Sequence, residues 1–419
     1  MDNSTPVALA TEPTQGLRQG TLSWPKVAAL GTVIAISGGF SGWNYGLGLG
    51  GWGGMFAAAL AMALLFFCLT QTLAELAAAL PQAAGFDSYA RIALGPRAGF
   101  VAGLSVALGL AVGTGLAASF AAAYCEGMFG IGGWTVKGVL LVAVIALQLR
   151  GASEAVGFTM LVGGIALAIL VVFCLAVSPD FAASRLLTAT PDSRATLFYG
   201  GLGGTARCIP FALFLFLGVE QAAQAAAEMK DMARSMPKAL ITAITITFVI
   251  GMAVLLFATG AAGVKNLATA DDPLLAAVLA RPAGSHTVLL ARIVGAGALV
   301  SLLATFFSLA YASSRQFYHL AAAGYLPAWL ARTNRRGAPD LALICVGLIG
   351  AVAADFRPDN VMVVFIFLLS VSHELIMLSF LRLRHTQPAL ERPYRAIGGS
   401  PAAWLGAALS LAVLISCVS

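Results

Sequence analysis

Apolar runs of about twenty residues recur almost from one end of the chain to the other, and they leave few folds open. Crossing ~30 Å of hydrocarbon as a helix takes ~20 apolar residues, range ~17–25. Runs of this kind fall near 27–49, 54–79, 98–124, 134–150, 155–177, 203–227, 238–263, 287–312, 340–355, 359–382 and 402–418. That makes about eleven spans, of which the ninth and the last are short. Only 10% of the 419 residues are charged, against ~25% in a soluble domain. The pattern predicts an all-α polytopic membrane protein with the lipid bilayer as its surroundings. A net charge of +6 does not argue for nucleic acid, because the basic residues stand singly between apolar runs. A phosphate-binding stripe would cluster them on one face.

Two of the runs are interrupted. Ile34 to Leu47 reads IAISGGFSGWNYGL, with four glycines and two serines where a spanning helix should be most regular. The sixth run, between Thr205 and Ala227, carries Pro210, Gly218 and the acidic Glu220. Hydrocarbon cannot satisfy opened backbone, so such a break survives only inside protein or beside a wet cavity. Breaks in corresponding spans of two halves are the best sequence pointer to a solute site. Here the broken spans are the first and sixth, so each opens a group of five. Five is odd, so the two groups insert in opposite senses, which predicts a 5+5 inverted-repeat bundle. The expected parts are a disordered cytoplasmic tail over 1–26, a first repeat over 27–177, a second over 203–382, and an extra helix over 402–419.

Sixteen of the 24 Lys and Arg fall on the side that faces the N-terminus and seven on the other, with Arg207 left in a span. That bias predicts a cytoplasmic N-terminus. The first apolar run is too long for a cleaved leader and lacks its small-residue cleavage pattern. Six cysteines lie within apolar stretches or at their edges without a CxxC or Cys/His cluster, so neither a disulfide framework nor a metal site is expected. Gly46, Gly48 and Gly51 satisfy GxGxxG, yet no strand precedes them and no acid follows at the ribose distance. No cofactor is expected. Small residues such as Gly109, Gly113, Gly157, Gly163, Gly164, Gly295 and Gly297 read as helix-packing positions.

Four stretches carry a resemblance to the amino acid–polyamine–organocation (APC) permeases, closest to the ethanolamine permeases. They are SGGFSGWNYGL (Ser37 to Leu47) with GGWGGM (Gly50 to Met55), ELAAALPQAAGFDSYARIALGP (Glu75 to Pro96), IPFALFLFLGVEQAAQAAAEMKDMARSMPKAL (Ile209 to Leu240), and SSRQFYHLAAAGYLP (Ser313 to Pro327). The chain departs from the family's pattern at Ala84, Ala227 and Met232, and it has eleven spans where the family usually has twelve. The resemblance implies a LeuT-like secondary transporter of a bacterial inner membrane, working by alternating access. Its substrate would be a small amine, ethanolamine first, or a neutral or cationic amino acid. The coupling ion, H+ or Na+, stays open. An enzyme would need converging catalytic groups, which are not visible.

Carried onto this chain, the substrate site comprises Gly38, Gly39, Ser41, Gly42, Trp43 and Asn44 in span 1, and Phe214, Leu217, Gly218 and Glu220 in span 6. Glycines would let unwound backbone take positive φ and approach the ligand. Packing by small residues is the plainer alternative. Phe214 would be a lid or simply a core aromatic. Glu220 would meet an ammonium group or titrate, since an ionisable group inside a span is functional by default; otherwise it caps the second half-helix. His373 and Glu374 in span 10 read as a proton relay or as an ion pair or hydrogen bond inside the bundle. Thr305 and Ser308 share a face of span 8 and read either as sodium ligands or as hydroxyls bonded to their own helix.

Overall fold

The computed structural model describes residues 23–80, 85–150, 156–189, 195–220, 229, 232–282 and 284–418. Most of the expected tail therefore lies outside the described residues, as do Ala84, Ala227 and the second half of span 6. Span 1 begins as an α-helix over Trp24–Ala35, tightens to a 3-10 turn over Ile36–Gly39, and passes through turns to Asn44. It resumes at Tyr45 and turns at Gly51 (φ 67°) into span 2, which ends at Ala79. Spans 3, 4 and 5 are Pro96–Phe129, Gly133–Leu149 and Val156–Val177. Span 6 is helical over Gly201–Phe214 and then turns through Leu215 to Glu220. Spans 7 to 11 are Met232–Ala262, Ser285–Ala322, Asp340–Asp355, Pro358–Thr386 and Gly399–Ser416.

Among the described helices, seven are long and apolar enough to cross a membrane unaided. They belong to spans 2, 3, 5, 7, 8, 10 and 11. The other four are the broken spans 1 and 6 and the short spans 4 and 9, so the exceptions themselves pair at a separation of five. The packing repeats with the same offset. Span 1 lies on span 7 as span 6 lies on span 2; span 3 meets span 10 as span 8 meets span 5; span 1 meets span 5 as span 6 meets span 10. Spans 3 and 8 pack on each other at the centre. This is the contact pattern of a 5+5 bundle, with span 11 outside it against spans 2 and 10. Side chains such as Val142 and Val352 point outward, 70% and 64% exposed, as lipid-facing positions do.

Small residues make the close crossings. A methyl group on Gly163 would collide with Val33 Cγ1, and one on Gly295 with Met128 Sδ. Gly164, by contrast, has nothing within 4 Å. Two elements go beyond the sequence expectation. The stretch between spans 2 and 3, to which no span is assigned from the sequence, contains an amphipathic helix over Phe86–Leu94 that buries Phe86, Tyr89 and Ala90. A two-stranded antiparallel pair, Thr188–Ala189 with Ala195–Thr196, lies between spans 5 and 6. The chain after it seals the span 1–span 2 turn, with Gly53 N–H donating to Leu197 O at 2.7 Å and Tyr199 N–H to Gly50 O at 2.9 Å. At the other face, Glu75 in span 2 is 1% exposed and pairs with Arg384 and Arg392, which ties the connection before span 11 to the bundle.

Candidate functional site between the two broken spans

The two breaks meet. A Cβ on Gly38 would sit 2.6 Å from the carbonyl oxygen of Phe214, so glycine there lets the backbones of spans 1 and 6 touch. Gly38 and Gly39 themselves belong to the 3-10 turn. Positive φ appears instead at Gly42 (96°) and Gly218 (108°), one in each break. The expectation that the whole span 1 glycine run adopts positive φ is corrected: close approach explains Gly38, and left-handed backbone explains Gly42.

Span 1 beyond its break is bonded into the protein. Gly42 N–H donates to Asn44 Oδ1 at 3.1 Å, and Trp43 Nε1 donates to Gly39 O at 3.1 Å. Asn44 Nδ2 donates to both Leu267 O and Ala270 O at 2.7 Å. Ser41 Oγ donates to Asp271 O at 3.2 Å, and Tyr45 OH to Asp271 Oδ1 at 2.5 Å. Tyr124 of span 3 donates to Phe40 O at 2.7 Å. The loop after span 7 thus clasps the resumed helix. Beside it, burial, with help from Asp271 and Glu126, pushes the carboxyl of Asp272 up to about 6.

Span 6 breaks differently. Leu217 N–H and Val219 N–H return to Phe214 O and Phe216 O, while Gly218 N–H donates to Glu220 Oε2 at 2.7 Å. Glu220 is 4% exposed. It lines a cavity of about 220 Å³ with Ser37 and Gly38 of span 1 and Phe214, Leu217 and Gly218 of its own span. Val33 of span 1 adds to it, spans 3, 5, 8 and 10 contribute residues including Phe120, Gly163, Ser301, Thr305, Ser308, Phe365, Ser372 and His373, and Phe86 comes from the short helix. Among these described lining residues Glu220 is the only carboxylate, and there is no Lys or Arg. Phe214 stands edge-on to Phe120 and Phe365, each at 6.3 Å, and Phe120 stacks on Tyr45 at 6.4 Å. These rings form an aromatic wall that runs from the cavity to the clasped end of span 1.

Of the residues expected at the site, Gly38, Phe214, Leu217, Gly218, Glu220, Thr305, Ser308 and His373 line one cavity. Gly39, Ser41, Gly42, Trp43, Asn44 and Glu374 do not; the polar ones among the first five serve the clasp. Thr305 Oγ1 donates to Ser301 O at 3.1 Å, the bond to its own helix that was the plainer expectation. The expected relay pair is separated, because consecutive helical residues do not face each other: His373 lines the cavity while Glu374 is not part of its lining. Sequence reasoning missed Ser37, Ser301 and Ser372 and the rings of Phe86, Phe120 and Phe365. Only Ser37 carried a signal, as the first residue of the glycine run.

Residues 22–418 match the model of a family described as amino acid permease. An uncharacterized transporter of Rhizobium meliloti is 27% identical over 78% of this chain and 70% of its own length. The branched-chain amino acid permease of Bacillus subtilis is 24% identical over 47% of this chain and 42% of its own. The amino-acid permease inda1 of Hypocrea atroviridis is 26% identical over 92% of this chain and 72% of its own.

Proposed function

We infer that this chain, which belongs to the amino acid permease family, carries a small amine or amino acid across a membrane by alternating access, with ethanolamine as the first candidate. The observation that supports this is Glu220, a buried carboxylate on the wall of a cavity lined by both breaks. A carboxylate on that wall is a suitable acceptor for the charge-assisted hydrogen bonds of an ammonium group. The alternative substrate, an amino acid, adds a carboxylate that needs donors. In this structure Phe40 N–H and Gly42 N–H of span 1, and Leu217, Gly218 and Val219 N–H of span 6, are already bonded within the protein. That favours an amine without a carboxylate. Relatives named as amino acid permeases keep the second substrate class in play.

In the proposed cycle the ammonium group displaces Gly218 N–H from Glu220, and Phe214 closes over the solute. The five-span halves, 27–177 and 203–382, then rock against each other while span 11 stays peripheral. The expected membrane is a cell inner membrane with the N-terminus in the cytoplasm, driven by H+ or Na+. Uptake of radiolabelled ethanolamine into proteoliposomes tests this. Glu220→Gln keeps the size of the side chain and removes its charge, and is expected to cut uptake about 100-fold, given the strength of charge-assisted pairs in a dry site. Unchanged uptake in that variant excludes the role given to Glu220. Accumulation of label above equilibrium separates a transporter from a protein that only senses the same amine.

A further inference from the structure

The loop between spans 8 and 9 lies on the face where most of the Lys and Arg fall, and it presents its own arginines in a fixed way. It reads PAWLARTNRRGAPD from Pro327 to Asp340. A 3-10 turn over Ala328–Ala331 buries Leu330 and leaves Trp329 half exposed. Asn334 then pins the tip of the loop. Its Oδ1 accepts from Arg336 N–H at 2.9 Å and Ala338 N–H at 3.1 Å, and its Nδ2 donates to Leu149 O at the end of span 4 at 2.8 Å. Gly337 completes the turn at φ 76°. Arg335 and Arg336 are thus held in the open near the exposed Arg150 that follows span 4, and neither has an ion pair among the described residues. Arg332 meets Asp340 only at 3.8 Å, with 70% of its side chain exposed.

The helices under this loop are the two short spans. Spans 4 and 9 have 17 and 16 residues, which at ~1.5 Å per residue makes each ~25 Å long, against ~30 Å of hydrocarbon. They cross closely, with a Cβ on Gly347 meeting Ile145 Cγ1 at 3.2 Å, and they turn Leu147, Ile344 and Leu348 outward. A span shorter than the hydrocarbon thins the bilayer around it or makes its flanking side chains snorkel. Either response brings the guanidinium groups of the loop to the level of the phosphates.

We propose that this corner is a binding site for an anionic phospholipid, with the headgroup phosphate on Arg335 and Arg336 and the acyl chains along the outward faces of spans 4 and 9. A guanidinium fork matches phosphate oxygens in a way that a point charge does not. Arg150 and Arg332 add to the attraction, as basic clusters beside a span do for anionic lipid. Trp329 stands where an indole is favoured, at the boundary of apolar and polar layers. A soluble phosphate would account for the arginines but not for the apolar shelf next to them. Neither span 4 nor span 9 lines the central cavity, so this site stands apart from the solute.

The purified full-length protein in neutral detergent is titrated with phosphatidylglycerol or with phosphatidylcholine of the same acyl chains, and the melting temperature reports binding by mass action. Phosphatidylglycerol is expected to half-saturate the shift at a concentration at least 10-fold below that of phosphatidylcholine. The double variant Arg335→Gln, Arg336→Gln is expected to weaken phosphatidylglycerol at least 10-fold, the scale of two cations lost at an anionic surface, and to change phosphatidylcholine less than 3-fold. A second double variant, Arg382→Gln with Arg395→Gln, removes two exposed arginines from the same face and is expected to change either lipid less than 3-fold. Glycerol 3-phosphate, the headgroup without chains, is expected to give no shift where phosphatidylglycerol saturates. Equal response to the two lipids, or equal loss in the two double variants, overturns the site. Stabilisation by glycerol 3-phosphate as strong as that by phosphatidylglycerol overturns the lipid and leaves a site for a soluble phosphate.

Discussion

The two broken spans interrupt the same kind of helix, yet they settle the opened backbone in opposite ways. Span 1 hands its polar groups to the rest of the protein: Asn44, Ser41 and Tyr45 are all held by the loop over Leu267 to Asp271. Span 6 turns back on itself and leaves a carboxylate, Glu220, on the cavity wall. One break is a structural clasp that brings only Ser37 and Gly38 to the cavity, and the other brings a carboxylate to it. In a bilayer this division has a physical cause. Every opened N–H and C=O needs a partner, and partners that come from a distant loop fix a helix end in place, whereas partners from the same turn leave it free to exchange them.

Gly38 and Gly39 break that comparison most severely. A Cβ at Gly38 meets the backbone oxygen of Phe214 at 2.6 Å, and backbone cannot step aside, so Gly38→Ala is expected to part the two spans and abolish uptake. A Cβ at Gly39 meets only Leu170 Cδ1 at 2.8 Å, the tip of a flexible side chain, so Gly39→Ala is expected to retain uptake within about 5-fold, the ~1 kcal/mol scale of a modest repacking. Uptake in proteoliposomes checks both. If the two variants behave alike, the contact between spans 1 and 6 does not matter.

Asn44 sharpens the contrast with Glu220. Asn44→Ala leaves the carbonyls of Leu267 and Ala270 without their donor, and is expected to cost about 1–3 kcal/mol of stability. The ethanolamine KM of that variant should stay unchanged, the reverse of the pattern expected for Glu220→Gln. Thermal melting and uptake kinetics on one preparation separate the two. A raised KM with normal melting would put Asn44 back at the solute.

The smallest effect belongs to the loop itself. With its carboxyl pushed up to about 6 by burial first, then by Asp271 and Glu126, Asp272 holds a proton that the unfolded chain releases near pH 4. The folded state therefore binds the extra proton between about pH 4 and pH 6, and stability is expected to fall as pH rises through that window. Asp272→Asn should flatten this part of the melting profile. An unaltered profile would show that the clasp is insensitive to that carboxyl.

The breaks were legible in the sequence because opened backbone needs particular residues: Gly42 and Gly218 take the positive φ that glycine tolerates best. Glu220 was legible as a charge inside an apolar run. The clasp was not, because Asn44 and Ser41 find their partners more than 220 residues away in a loop with no motif of its own. His373 and Glu374, adjacent in sequence, part in the fold because neighbours point to different sides of a helix, and only His373 reaches the cavity. The short helix Phe86–Leu94 was hidden by its length of nine residues and its mixed composition. The remaining wall, from Phe120 to Phe365, comes together only when the spans pack.

One cysteine placed on each break asks whether the two face a common solute. In a background with the six native cysteines replaced, Ser37→Cys tests the span 1 side and Leu217→Cys the span 6 side, since both residues line the cavity. Alkylation by a small thiol reagent is measured with and without ethanolamine. Slowing of both reactions by ethanolamine over the same concentration range is the expected result. Protection at only one position, or at neither while the amine still binds, would contradict a solute held between spans 1 and 6.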